Sequence, residues 1–289
     1  MIIRLICTKL AYSQLDTCPN PSDRHRIWWC PTGPLAFLPL HAAGIYDSAY
    51  QAGQRVSDFV VSSYTPTIQS LNNKFKTSST FSKCTSLVLI SQPNTPGLSP
   101  IPSTQKETHD IKTLMDGSSI DVLLLEDVEA TTEKVKTEIK SHNWVHFACH
   151  GIQDVAEPLK SGVHLHDGRL ELLDIMRQQI PNPDLAFLSA CQTSKGDFEL
   201  SEEVVHLAAG LLAAGYQGVV GTMWSISDMH GPQFATQFYK YLLTEKGSKG
   251  LDSTHAAYAL DHAVRKVQES LGDGDNAFLT WVPYVHFGY

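Results

Sequence analysis

Short apolar runs alternate with helix-patterned segments over most of this chain, and few folds accept that alternation. Ser86–Ser91, Asp121–Leu125, Trp144–Cys149, Leu185–Ala190 and Val219–Trp224 read as buried strands, and a further strand falls near Asp58–Tyr64. Thr104–Met115, Thr132–Lys140 with Thr131 as its cap, a segment following Ser201, Pro232–Thr244 and Thr254–Leu271 read as helices, with a short helix before Leu185. Strands alternating with helices specify an α/β fold whose mostly parallel sheet is covered on both faces. Two stretches depart from the alternation. "RIWWCPTGPLAFLP" reads as an N-terminal β-hairpin turning at Pro31-Thr32-Gly33, and Asp167-Gly168 in "VHLHDGRLEL" is a strong two-residue hairpin turn. Pro93, Pro96, Pro100 and Pro102 make Gln92–Ser103 a loop inside the alternation, not a linker between domains. The expected organisation is one domain over residues 24–289. Residues 1–23 form a separate segment whose opening "MIIRLICTKLAYSQLD" reads as the end of a truncated helix.

The stretch from Leu207 to Ser227 has no charged residue and is long enough to span a bilayer. Gly210, Gly215, Gly218 and Gly221 punctuate it, and its pattern changes midway. Ser201 can cap a helix with Glu202 and Glu203 in its first turn. Val204, Leu207, Leu211 and Leu212 recur at helical spacing, Gly215 suits the stop, and "YQGVVGTMW" follows as a buried strand. That is a soluble helix and strand, not a membrane span. A formal net charge of −8 argues against nucleic acid and anionic membrane as partners, since both require basic patches. Cys7, Cys18, Cys30, Cys84, Cys149 and Cys191 are scattered without a CxxC pair, so they read as reduced thiols. With no signal peptide in "MIIRLICTKL", a cytoplasmic location is expected.

Chemistry gathers at two strand ends. "VHFACHG" closes an apolar run on His150 and Gly151, and "LAFLSACQTSKG" closes another on Cys191. In such sheets, sites collect at the carboxyl ends of the strands. A thiol attacks as thiolate, and a nearby imidazole generates it at neutral pH. The N–H groups of Gly151 and Cys191 could hold an oxyanion, with glycine allowing close approach. Two other readings stand beside this one. Cys191 can simply cap a core strand, because free cysteine is a common core residue. His142, His146 and His150, at intervals of four, would line one helix face and could bind metal. A strand fits Trp144–Cys149 better and is expected to point His146 away from His150. His164 and His166 flank the hairpin turn and read as surface strand residues. Neither G-x-S-x-G, the P-loop pattern, H-E-x-x-H nor G-x-G-x-x-G occurs.

"WWCPTGPLAFLPLHAAG", "VHFACHG", "LAFLSACQTSKGD" and "EEVVHLAAGLLAAGYQGVVGTMWSISD", in that order, resemble the CHAT domain, a caspase-like clan CD cysteine peptidase domain often attached to tetratricopeptide repeats. The wording is most similar to fungal members, and the resemblance covers about Arg24 to Tyr289. It implies the caspase-like αβα sandwich that separase, gingipain and clostripain share. It also implies His150 and Cys191 as catalytic dyad, Gly151 as the oxyanion glycine, and no metal or other cofactor. Thr193 stands where true caspases have glycine, and glycine returns only at Gly196, so cleavage after aspartate is not implied. The stretch from Trp224 to Asp228 resembles one beside the substrate cleft of CHAT and separase-like peptidases. There Asp228 would bind a basic side chain, the other reading being a cap for the helix near Pro232; the further acid of the separase pattern is replaced by Pro232. The implied function is a cysteine endopeptidase of protein substrates in a regulated signalling or cell-death type pathway, acting with a repeat-containing or sensor domain in the full-length protein or in trans. A catalytically silent signalling or scaffold module is the alternative, and a metal-dependent hydrolase a third.

Overall fold

A computed structural model describes residues 23–46, 52–77, 85–152, 154, 156–191, 203–244, 251–271 and 275–289. Ser201, Thr193, Gly196 and all of segment 1–23 except Asp23 lie outside them. In chain order the elements are β1 (His25–Trp29), β2 (Val60–Tyr64), α1 (Ile68–Thr77), β3 (Ser86–Ser91), α2 (Ser103–Met115) and β4 (Asp121–Glu126). Next come α3 (Thr132–Ser141), β5 (Trp144–Ile152), β6 (Gly162–Leu165), β7 (Gly168–Glu171), α4 (Leu172–Arg177) and β8 (Leu185–Cys191). Then follow α5 (Glu203–Ala213), β9 (Gly218–Thr222), α6 (Gly231–Thr244), α7 (Ala256–Leu271), α8 (Asp275–Trp281) and β10 (Tyr284–Gly288). Thr131 caps α3 as expected: its hydroxyl accepts from the Lys134 N–H at 3.3 Å.

The sheet runs β1-β2-β10-β9-β8-β5-β3-β4. Strands β9, β8, β5, β3 and β4 are mutually parallel, and β10 joins β9 antiparallel. Because β1 and β2 run with β10, two parallel blocks meet at one antiparallel seam. Strand periodicity sorts the side chains into two layers. Val145, Phe147 and Cys149 pack with Val135 and Ile139 of α3, Ile175 of α4 and Leu211 of α5. Leu87, Leu89, Trp144 and Phe187 pack instead with Ile111 of α2, Phe234 and Phe238 of α6 and Val267 of α7. The result is the αβα sandwich. The charge-free stretch divides at Gly215, whose φ of +111° ends α5 before β9 begins. Among the described residues no helix is long and apolar enough to cross a membrane.

The N-terminal hairpin does not form. Chain leaving β1 enters a 3₁₀ turn, Gly33–Phe37, with Gly33 at φ +58° and a proline in its first turn, while Leu35 and Leu38 are 52% and 49% exposed. β1 pairs in parallel with β2 instead, from His25↔Val60 to Trp29↔Tyr64. The Asp167-Gly168 hairpin forms as expected, with β6 and β7 antiparallel. Sequence patterning marks the helix ending in Leu271 as the last element, yet α8 and β10 follow; β10 is a buried five-residue strand in the middle of the sheet.

His41 ties the N-terminal region to this late strand. Its Nε2 donates to the Val282 carbonyl at 2.8 Å, and its Nδ1 accepts from the Tyr64 hydroxyl at 2.8 Å. Burial pushes the His41 imidazole down to about 4. Burial and then the Arg26 charge push His286 of β10 well below the ordinary histidine value. Both groups are neutral in the fold while the unfolded chain takes up protons near pH 6.5. Their contribution is therefore complete above about pH 6.5 and is lost as pH falls towards 4. Urea midpoints measured between pH 7 and pH 4.5 should fall with acidification, and His41→Gln should flatten part of that slope. An unchanged slope in the variant would remove His41 as a source.

Candidate active site

β5 does not stop before His150. It continues to Ile152, and His150 lies in register with Cys191, the last residue of β8. Neighbouring strands lie about 4.8 Å apart, so the two positions are adjacent across the sheet. Strand β3 has already ended at Ser91, opposite Ala148. Beyond Cys191, β5 leaves the parallel block and pairs antiparallel with β6, Gly151 against Val163 and Ile152 against Gly162. Gly162 is required there, since a Cβ would lie 2.0 Å from the Leu170 carbonyl oxygen. For Cys191 the described structure is the backbone.

His150 is 1% exposed, and its Nε2 donates to the Ser99 carbonyl at 2.8 Å. A carbonyl can only accept, so in the neutral ring this bond puts the proton on Nε2 and the lone pair on Nδ1. Ser99 sits in the proline-rich loop between β3 and α2. The loop closes on itself through Ile101 N–H to Pro93 O at 2.9 Å, and joins β5 through Gln92 N–H to Ala148 O at 2.9 Å.

Beneath His150 and Cys191 lies a buried polar cluster. Glu107 of α2 is 2% exposed; its Oε1 accepts from His146 Nε2 at 2.9 Å and its Oε2 from the Ser189 hydroxyl at 3.0 Å. His146 is fully buried, stacks on Phe187 with centroids 4.7 Å apart, and has the Tyr239 hydroxyl 3.3 Å from Nδ1. The expectation that a strand would point His146 away from His150 is corrected, because residues four apart on a strand share a face. The three histidines do not converge: His142 Nδ1 bonds the Glu138 carbonyl, His146 bonds Glu107, and His150 bonds Ser99. Among the described residues no group of three or more potential ligands could hold a metal ion. Asp228 opens a 3₁₀ turn after β9, and its Oδ2 accepts from the Ser103 N–H at 3.0 Å. It therefore caps α2, not the helix that follows it, and α2 has no side-chain cap of its own at Pro102.

The CHAT domain family model matches residues 6–289. The chain belongs to the CHAT domain family. Its fold is similar to that of gingipain R, an Arg-specific cysteine proteinase, at 13% identity and a TM-score of 0.58, covering 99% of this chain and 66% of that one. The pro- and mature-domain complex of Porphyromonas gingivalis RgpB matches at 12% identity and a TM-score of 0.54, over 99% of this chain and 68% of that one. The Saccharomyces cerevisiae separase–securin complex matches at 14% identity and a TM-score of 0.53, over 81% of this chain and 14% of the separase chain. The CHAT domain thus spans just under two thirds of the gingipain R chain and a small part of separase. No curated protein matches it by sequence. The shared architecture is the caspase-like cysteine protease fold.

Two features of this CHAT domain escaped the sequence. Ser99 contributes a backbone carbonyl, which no side-chain pattern marks; the four prolines around it were the only sign of a fixed loop. Glu107 sits in "STQKETHD", a run that reads as a solvated helix face. Its burial shows in Gly231, where a Cβ would lie 2.5 Å from Glu107 Oε2. Glu107→Ala leaves the His146 N–H and the Ser189 hydroxyl buried without an acceptor, and should cost about 3 kcal/mol. Glu107→Gln keeps one acceptor and one donor and should cost clearly less. Chemical denaturation of both variants measures this, and a loss below about 0.5 kcal/mol for alanine would show the cluster contributes nothing to stability.

Proposed function

We propose that residues 24–289 form a cysteine endopeptidase domain in which His150 and Cys191 are the catalytic dyad. The observation that carries the reading is their register across β5 and β8, with His150 held by Ser99. His150 Nδ1 takes the thiol proton, and the Cys191 sulfur attacks the scissile carbonyl carbon. The N–H groups of Gly151 and Cys191 receive the oxyanion. As the C–N bond breaks, His150 returns its proton to the leaving amine. Water, deprotonated by His150, then cleaves the thioester and restores the thiol. Family membership and the caspase-like fold support the chemistry, and no step uses a metal or cofactor.

Burial of His150 favours a qualification: the isolated chain has low basal activity and is opened by a repeat-containing or sensor domain, in cis or in trans, in a signalling or cell-death type pathway. The same burial is what a catalytically silent scaffold would show. Turnover by purified protein separates the two. Cys191→Ala should abolish peptide cleavage, and His150→Ala should lower it about 10²–10⁴-fold, both with unchanged circular dichroism. Cys149→Ala, in the opposite core layer, should stay active. Wild-type turnover in either dyad variant overturns the assignment.

We assign Asp228 to recognition of a basic residue before the scissile bond. Gingipain R, named as Arg-specific, supports a basic preference on this fold. Capping of α2 uses Oδ2, so Asp228→Asn keeps an acceptor for Ser103 while removing the charge. On a fluorogenic panel, cleavage after Arg and Lys should fall about tenfold in Asp228→Asn, with neutral substrates unaffected. Equal cleavage of basic and neutral substrates by wild type would sink the idea.

A further inference from the structure

The β6–β7 ribbon extends the row that begins with Cys191 and His150. Val163, Leu165 and Leu170 of the ribbon are buried in the core layer of Val145 and Phe147. The alternate positions, His164 and Arg169, therefore belong to the other face, the one that carries His150. They oppose each other in the ribbon register, and one step beyond Gly151↔Val163 sets His164 beside His150. The ribbon leans towards β4, because His166 N–H bonds the Ala130 carbonyl at 3.1 Å and Asp167 accepts from Thr132 N–H at 2.7 Å. β8 lies on the opposite side of β5. His150 thus stands between Cys191 and His164.

Both ribbon side chains are only partly buried, and neither forms an ion pair among the described residues. His164 makes no side-chain hydrogen bond among the described residues, and Arg169 makes one, a long 3.4 Å contact to the Lys160 carbonyl. Of the neighbouring acids, Asp167 bonds Thr132, Asp154 the Glu157 N–H, and Glu157 pairs with Lys160, while Glu171, two residues along β7 on the same face, acts on Lys160 and makes no ion pair with Arg169. Burial first, then the neighbouring Arg169 and His150, hold the His164 imidazole below its ordinary pKa. Among the described residues the Arg169 guanidinium forms no ion pair, so beside the candidate dyad it is free to meet a carboxylate.

We infer that His164 and Arg169 form a subsite for an acidic side chain within the segment that follows the scissile bond. The side follows from the proton path. His150 protonates the leaving amine, so the departing segment lies over β5 and continues away from Cys191, towards β6 and β7. Arg169 offers a planar fork matched to a carboxylate, and His164 a single ring N–H. This rests on the peptidase reading, so the test reads binding and cleavage separately.

The probe is a set of fluorescent decapeptides in a neutral background with one central Arg, carrying Glu or Gln at each position after it in turn. Anisotropy titration with the full chain gives each Kd. At one or more of the first three positions Glu should bind about tenfold more tightly than Gln. Arg169→Gln should erase that difference, Arg169→Lys should keep part of it, and His164→Gln should reduce it. Equal Kd values for Glu and Gln peptides, or a preference surviving in Arg169→Gln, overturn the subsite. A Glu preference without cleavage of any peptide leaves the subsite standing and counts against the peptidase reading; cleavage without the preference does the reverse.

Discussion

Asp184 determines where three strands begin, and the site at their far ends inherits that alignment. Its Oδ2 accepts from Trp144 Nε1 at 2.7 Å, at the start of β5, and its Oδ1 from the Ser253 hydroxyl at 2.5 Å. Its carbonyl accepts from Gln217 N–H at 2.8 Å and Gly218 N–H at 3.1 Å, at the start of β9. One buried acid beside the first residue of β8 thus sets the register of β5, β8 and β9 together. Seven paired positions follow, from Trp144↔Leu185 to His150↔Cys191. A slip of one residue would turn every side chain of β8 to the other face and take position 191 away from His150.

The carboxyl end of the sheet is organised by α2. The loop leading into it offers the Ser99 carbonyl to His150, its first N–H is capped by Asp228 from the β9–α6 connection, and its Glu107 grips β5 and β8. One helix therefore contacts the ends of three strands. Burying a carboxylate among apolar helices is costly unless every acceptor is satisfied, and both Glu107 oxygens are. The cluster supplies direction that apolar packing does not, since Phe187 and Phe238 could slide where a bonded Glu107 cannot.

Reading the sequence located strands β3, β4, β5 and β8 because their apolar runs are continuous, as strands covered on both faces must be. It placed His150 and Cys191 at neighbouring strand ends, but not in register, because the pairing depends on the contact of Asp184, outside the strands, with the Trp144 side chain. Gly151 looked like a stop; β5 continues through it because β6 supplies a new partner. Pro31-Thr32-Gly33 looked like a hairpin, but Gly33 and Pro34 begin a helical turn and the partner strand comes from Val60–Tyr64. β10 was missed since its five residues lie between Pro283 and the chain end, where nothing local distinguishes a central strand from a tail.

The support given to His150 suits the nucleophile proposed beside it. In a serine triad a buried carboxylate both orients the histidine and stabilises the imidazolium, because the hydroxyl gives up its proton only as the attack proceeds. Here the orienting group is a neutral carbonyl, which sets the tautomer but contributes a dipole instead of a full charge. A thiol, with an ordinary pKa near 8.5, is within about two units of ionising at neutral pH and needs far less help. Deeper in the same layer, Glu107 is instead held by His146 and Ser189 two to four residues below. A cysteine at position 191 and a carbonyl at Ser99 are thus parts of one choice.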